Sequence, residues 1–245
     1  MKVEAIGIGL ARRSMFEAAD LGVRLVGANA GSVWRTFLPV HLAVCALALT
    51  SVPWGGGWPV FILIWLKPWL DRSLLFVLAR AVFRQPTRLV DLLLARREVW
   101  WRDLLATLTL RRLSPWRSYV QPAQQLEGQR GAERRHRVAQ ILNHHGGTAL
   151  AMQGAFATVE SALAVGLLML PSWFAIGDAR GDWMGLFSAG PDPWSAAAQF
   201  TCYAVAVAVV EPFFVGAGFA MYLNRRVELE AWDIEQEFRV AFASS

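Results

Sequence analysis

The sequence predicts an all-α polytopic membrane protein, with four transmembrane helices plus amphipathic interfacial helices. Three observations predict it. Apolar residues are gathered into the segments 33–52, 58–83, 148–170 and 198–223, the basic residues crowd between the second and third of these, and each segment carries an ionisable residue near its middle. Hydrophobic residues make up 55% of the 245 positions and mean hydropathy is +0.35, an uneven concentration that a soluble domain of this length rarely shows. A crossing needs about 20 mostly apolar residues, because about 30 Å of hydrocarbon is spanned at about 1.5 Å per residue.

The whole chain, 1–245, reads as one membrane domain. Residues 14–27 place Phe16, Leu21, Leu25 and Val26 against Glu17, Asp20 and Arg24 at spacings of three and four, an amphipathic helix suited to the inner leaflet or a simple lead-in to the first span. The second segment is the least regular. Residues 58–66 make only half a span, but continuation through Lys67, Pro68, Asp71 and Arg72 gives a length that crosses with tilt, and full crossing is favoured over a re-entrant helix. Residues 84–147 form a cytoplasmic, partly interfacial region: an interfacial helix or helical hairpin over 86–113, a loop over 119–131 and a short basic helix over 132–142. Beyond the fourth span, 224–242 continues as a cytoplasmic helical tail with an apolar stripe of Val227, Ala231, Ile234, Phe238 and Phe242.

Orientation follows from Lys and Arg in the loops. The basic stretch between the second and third spans is expected in the cytoplasm, and the acidic stretch 171–197 outside, so both termini fall inside. Six tryptophans, Trp34, Trp54, Trp58, Trp173, Trp183 and Trp194, flank the spans or lie in outer loops, where an amphipathic ring prefers the headgroup level; Trp65 and Trp69 do not. No signal peptide is read at the start, so the first span is expected to act as an uncleaved anchor. The bacterial inner membrane is the expected location. The net charge of +5 is explained by a cytoplasmic basic loop on anionic headgroups, and nucleic acid is not expected as a partner. Cys45 and Cys202 sit at depths about 9 Å apart, beyond the roughly 7 Å of disulfide reach, and are expected to be buried free thiols.

An intramembrane ionisable group is rare and must find partners away from lipid, so these groups are the candidate site. His41, Lys67, Asp71, Arg72, Glu160 and Glu211 sum to about zero charge with histidine protonated, which permits one buried charge network. Lys67 and Asp71, four apart, are able to pair with each other. Such a network either fixes helix register or lines a path for an ion, proton or polar substrate. On the cytoplasmic side the acidic tail is expected to dock on the basic loop through Arg134, Arg135, Asn224, Arg225, Arg226, Glu228, Glu230, Trp232 and Asp233, with Glu230 or Asp233 against Arg134 or Arg135. His136, His144 and His145 lack the ligand set of a metal site, the Gly7–Gly9 and Gly216–Gly218 fragments lack the context of a nucleotide loop, and no hydrolytic acid and base pair is visible. Neither a metal, a cofactor nor an enzymatic activity is expected.

The string EPFFVGAGFAMYLNRRVELEAWDIE, 211–235, resembles the closing signature of a family of uncharacterised bacterial polytopic inner-membrane proteins. EAADLGVRL from Glu17, WLKPWLDRSLLFVLARAVF from Trp65 and RRLSPWRSYVQPAQQLEGQRG from Arg111 resemble the same family, so the likeness touches most of the chain. It departs at Trp69 and Ser73. Carried across, the resemblance stresses Lys67, Pro68, Asp71, Arg72, Glu211, Pro212, Tyr222, Asn224, Arg225, Arg226, Glu228, Trp232, Asp233 and Glu235. Such proteins tend to be encoded near MoxR-type AAA+ ATPases and other small membrane proteins. That implies, by association, a subunit of an envelope complex with membrane-protein partners and an AAA+ ATPase system. A weaker similarity, limited to the lead-in helix and first span, is to membrane domains accompanying glycerophosphodiester phosphodiesterases. The expected function is a non-enzymatic inner-membrane scaffold or assembly subunit, and the alternative is a small transporter or channel component using the mid-membrane charges.

Overall fold

The computed structural model describes residues 13–54, 57–109, 114–174 and 193–230, and over these the protein is all-α. Helix α1, Met15–Ala28, opens with a capping box: the Glu17 amide donates to Ser14 Oγ at 3.3 Å and the Ser14 amide donates to Glu17 Oε2 at 2.9 Å. It ends at Asn29, and α2, Ala30–Leu49, begins at once. A tight turn containing a short 3-10 element, Val52–Trp54, leads to α3, Trp58–Val82. Two further long helices, α8, Gly146–Phe174, and α9, Pro193–Glu230, complete the frame.

Three of these helices, α2, α8 and α9, are long and apolar enough to cross a membrane. α3 has the length, about 37 Å at 1.5 Å per residue, but its apolar run is broken by Lys67, Asp71 and Arg72, all buried. α9 is the hub: it packs against α1, α2, α3 and α8, and against short helices of the central region. Small residues let it do so. Gly22 of α1 crosses Gly216 and Ala217 of α9 so closely that a methyl group on Gly22 would collide with the opposing backbone. Consequently α1, with Met15, Ala18, Gly22 and Val26 buried, packs into the bundle and leaves Phe16 exposed. α8 is the opposite case. Only 11% of its apolar stretch is buried, against 72% for α9.

The region between α3 and α8 breaks into short helices: α4, Leu89–Leu94; a π turn, Arg97–Trp101; α5, Leu104–Leu108; α6, Arg117–Gln125; and α7, Gly131–Leu142. Its first half reaches the middle of α3, where Trp100 donates from Nε1 to Ser73 Oγ at 2.8 Å and packs on Trp69 at 5.1 Å between ring centroids. The expected loop over 119–131 is instead half helical. α6 forms because Ser118, Tyr119, Val120, Ala123 and Gln124 are buried where it packs on α9 and its neighbours α3 and α7, a tertiary gain that overrides a polar, proline-containing sequence. Ser118 fits there because Gly218 of α9 has no side chain to meet it. Tyr119 hydroxyl donates to the Ile141 carbonyl at 3.0 Å and Trp116 Nε1 to that of Gly146 at 2.8 Å, tying α6 to α7 and to the start of α8. Cys45 is buried and Cys202 half-buried, so the second thiol is less enclosed than expected; both are free.

Candidate functional site

Five charged side chains from four helices meet in the bundle interior. On α3, Lys67 and Asp71 lie one turn apart on the face toward α9, where Glu211 is fully buried. Lys67 Nζ stands 2.6 Å from Glu160 Oε2 of α8 and 2.7 Å from Glu211 Oε2. Arg117, at the first turn of α6, places Nε 2.7 Å from Asp71 Oδ2 and a terminal nitrogen 2.8 Å from Glu211 Oε1. The Tyr203 hydroxyl closes the far end, donating to Glu160 Oε1 at 2.8 Å. The chain of contacts therefore runs Tyr203, Glu160, Lys67, Glu211, Arg117, Asp71. Phe214 lies against the Arg117 guanidinium at 5.4 Å, an aromatic face on a desolvated cation.

Two residues expected in this network are elsewhere. Arg72 lies on a different face of α3 from Asp71 and donates to the carbonyls of Arg102 at 2.6 Å and Glu98 at 3.3 Å and to Thr107 Oγ1 at 3.1 Å. It anchors the short central helices to α3. His41 hydrogen-bonds through Nε2 with the Ala204 carbonyl at 3.1 Å, beside Cys45 Sγ at 3.4 Å, and joins α2 to α9 without an ion pair. Lys67 turns to the two glutamates rather than pairing with Asp71, because Arg117 already occupies the aspartate. The charge balance changes with these exchanges: three carboxylates face two cations instead of summing to zero. Asp71 also lies within hydrogen-bonding reach of the Glu211 carboxyl group, so two of the three acids meet directly.

The enclosure is tight. Asp71 and Glu211 are both fully buried, and the space beside the network, bounded by Pro68, Arg72 and Arg117, is about 30 Å³, room for roughly one or two water molecules. Taking one partner away from such a pair costs about 3–5 kcal/mol, because an uncompensated charge is left in a poorly polarisable interior.

A second cluster ties the end of α9 to the central region. Glu230 accepts from Arg137 of α7 at 2.6 Å and from Arg226 at 2.6 Å, Arg137 also grips Glu127 at 2.8 Å, and Tyr222 hydroxyl donates to Glu127. Hydrogen bonds to Glu127, reinforced by Glu230 against the opposing effect of burial, hold the Arg137 guanidinium above its ordinary pKa. The docking residue on α7 is thus Arg137. Arg134 faces the small space beside the ion network and Arg135 is exposed, whereas Arg137 reaches both Glu127 and Glu230. Arg225 donates to the carbonyls of Gln140 and Asn143 at 3.1 and 3.4 Å, and Glu228 meets His145 at 3.4 Å. Asn224 docks in another direction, exchanging hydrogen bonds with the Arg13 backbone at 2.9 and 3.2 Å. Trp232 and Asp233 lie outside the described residues.

Arg117 is the network residue that the sequence does not announce: it lies in the basic stretch between the second and third apolar segments, and its partner Glu211 is 94 residues away, so no local periodicity links them. No group of histidines, cysteines and acids among the described residues is arranged to hold a metal ion. The chain matches no protein-family model, no curated protein and no solved structure, so the site stands on its own geometry.

Proposed function

We propose that this protein is a four-span inner-membrane protein with both termini in the cytoplasm, acting as a non-enzymatic scaffold or assembly subunit of an envelope-associated complex. The observation that carries this reading is the ion network: its charges join α3, α6, α8 and α9 by direct contacts of 2.6 to 2.8 Å, with Asp71 and Glu211 fully buried. A second feature agrees with it. Gly154, Thr158 and Ala162 of α8 lie at four-residue spacing, all exposed, and nothing stands within 4 Å of where a Gly154 side chain would begin. Small residues spaced in this way are how membrane helices approach one another, so α8 has a face suited to a helix of a partner protein. α3 completes the crossing because its ionisable groups are satisfied within the bundle, which removes the main cost of inserting them. By the family resemblance, the partners include other membrane proteins and an AAA+ ATPase system.

The competing reading, a small transporter or channel component, draws support from the gathering of three carboxylates around Lys67 and Arg117 in the bundle interior. Purification from native membranes in mild detergent separates the two. A stable heteromeric complex that dissociates when Gly154 is replaced by leucine, with the chain itself still folded, is the expected result. A lone oligomer whose liposomes conduct protons, and lose that conductance in Asp71→Asn, overturns the scaffold reading.

A further inference from the structure

Away from the ion network, α2, α3 and the short central helices enclose a groove of about 520 Å³ whose lining is entirely apolar. Val40, Ala43 and Leu47 of α2, Trp69 of α3, and Leu93 and Trp101 of the central region line it. The volume falls within the roughly 300–1,000 Å³ of sites that enclose small ligands. It is not sealed: Leu47 is 59% exposed and Trp101 66%. A soluble protein would have to explain such a surface, whereas here it lies along a helix apolar enough to cross a membrane.

One end of the groove is basic. The Thr87 carbonyl accepts hydrogen bonds from Ser32 at 2.8 Å and Thr36 at 3.3 Å, and the Thr87 amide donates to Ser32 at 3.1 Å. These bonds pin the chain just before α4 to the first turns of α2. Arg35 and Arg88, each adjacent to a pinned threonine, are thereby brought to the same end, and both are exposed. Arg35 stands one turn before Pro39 of the lining, and Arg88 one residue before Leu89. The carboxylate nearest in sequence, Asp91, accepts from the Arg88 amide at 2.9 Å and caps α4. From Arg35 to Leu47 the helix rises about 18 Å, close to the depth of one leaflet of a bilayer with about 30 Å of hydrocarbon.

From this juxtaposition we infer that the groove is a binding site for an anionic phospholipid, with one acyl chain along α2 and the phosphate between Arg35 and Arg88. The inference rests on the membrane reading above and adds a ligand class to it. Selectivity comes from the two guanidiniums, which match phosphate oxygens in planar, bidentate fashion, and retention comes from the apolar walls. A neutral or zwitterionic lipid would fill the same walls without the gain at the basic end.

The full-length protein, purified in mild detergent and titrated with phosphatidylglycerol or phosphatidylcholine, is followed by native mass spectrometry. Wild type is expected to retain phosphatidylglycerol preferentially. Replacing both Arg35 and Arg88 by glutamine is expected to weaken phosphatidylglycerol retention about thirty-fold, since each basic residue near an anionic surface contributes about 1 kcal/mol. Filling the groove from an exposed position, Ala43→Phe, is expected to reduce retention of both lipids. Equal retention of the two lipids by wild type, or a double variant that still prefers phosphatidylglycerol, overturns the inference. Fractionation of the same samples tells its failure from that of the membrane reading: wild type found in the soluble fraction sinks the latter, while membrane-bound protein without lipid preference sinks the site alone.

Discussion

Arg117 illustrates how one side chain sets the character of the interior. Its guanidinium is shared between Asp71 and Glu211, so replacing it with glutamine strands two carboxylates and leaves Lys67 alone against three. Arg117→Gln is expected to destabilise the folded protein by about 3–5 kcal/mol or more, whereas Asp71→Asn, which brings carboxylates and cations to equal number, costs less. Thermal unfolding in detergent measures both, and a larger loss for Asp71→Asn would mean that the surplus charge is balanced by a group not yet identified. At this scale the sequence was informative in part. Lys67, Asp71, Glu160 and Glu211 announce themselves because a charge in an apolar run has to find a partner. Which partner it finds is not written locally: Arg117 comes from a polar stretch, and Arg72, beside Asp71 in sequence, points about 100° around the helix and serves a different set of acceptors.

Among the elements, the crossing of α1 over α9 depends on two glycines facing each other. A side chain at Gly22 meets the backbone of Gly216 and Ala217, which has no room to yield, while one at Gly27 meets nothing within 4 Å. Gly22→Leu is therefore expected to cost at least the 1–3 kcal/mol typical of an overpacked interior and to release α1, while Gly27→Ala is neutral or mildly stabilising. Limited proteolysis ahead of α2, compared with unfolding temperature, reads both effects; equal protection in the two variants would remove the argument. The long helices α2, α8 and α9 were legible because each rests on a local pattern, an apolar run of spanning length. α6 was not, since a segment containing Pro122 and three glutamines from 121 to 125 forms a helix only once α9 offers it a glycine to lie against.

For the molecule as a whole, the decisive question is whether α3 crosses. If it does, the 3-10 element Val52–Trp54 and the start of α7 lie on opposite sides of the bilayer; if it is re-entrant, they share a side. In a background with Cys45 and Cys202 replaced by alanine, a cysteine at Trp54 is expected to react with an impermeant thiol reagent from the periplasmic face, and one at Arg135 only after the membrane is opened. Both positions are exposed, so accessibility reports topology and not packing. Same-side labelling would reduce the protein to three spans.

The central place of α9 bears on how the protein is made. Every helix it packs against precedes it in the chain, so during synthesis Lys67, Asp71 and Glu160 leave the ribosome before Glu211 exists. Until then Lys67 has Glu160 and Asp71 has Arg117, two separate pairs that Glu211 joins when it arrives. A nascent chain truncated ahead of α9 is therefore expected to hold two balanced ion pairs with nothing to join them, so that the last helix made is the one that locks the others in register.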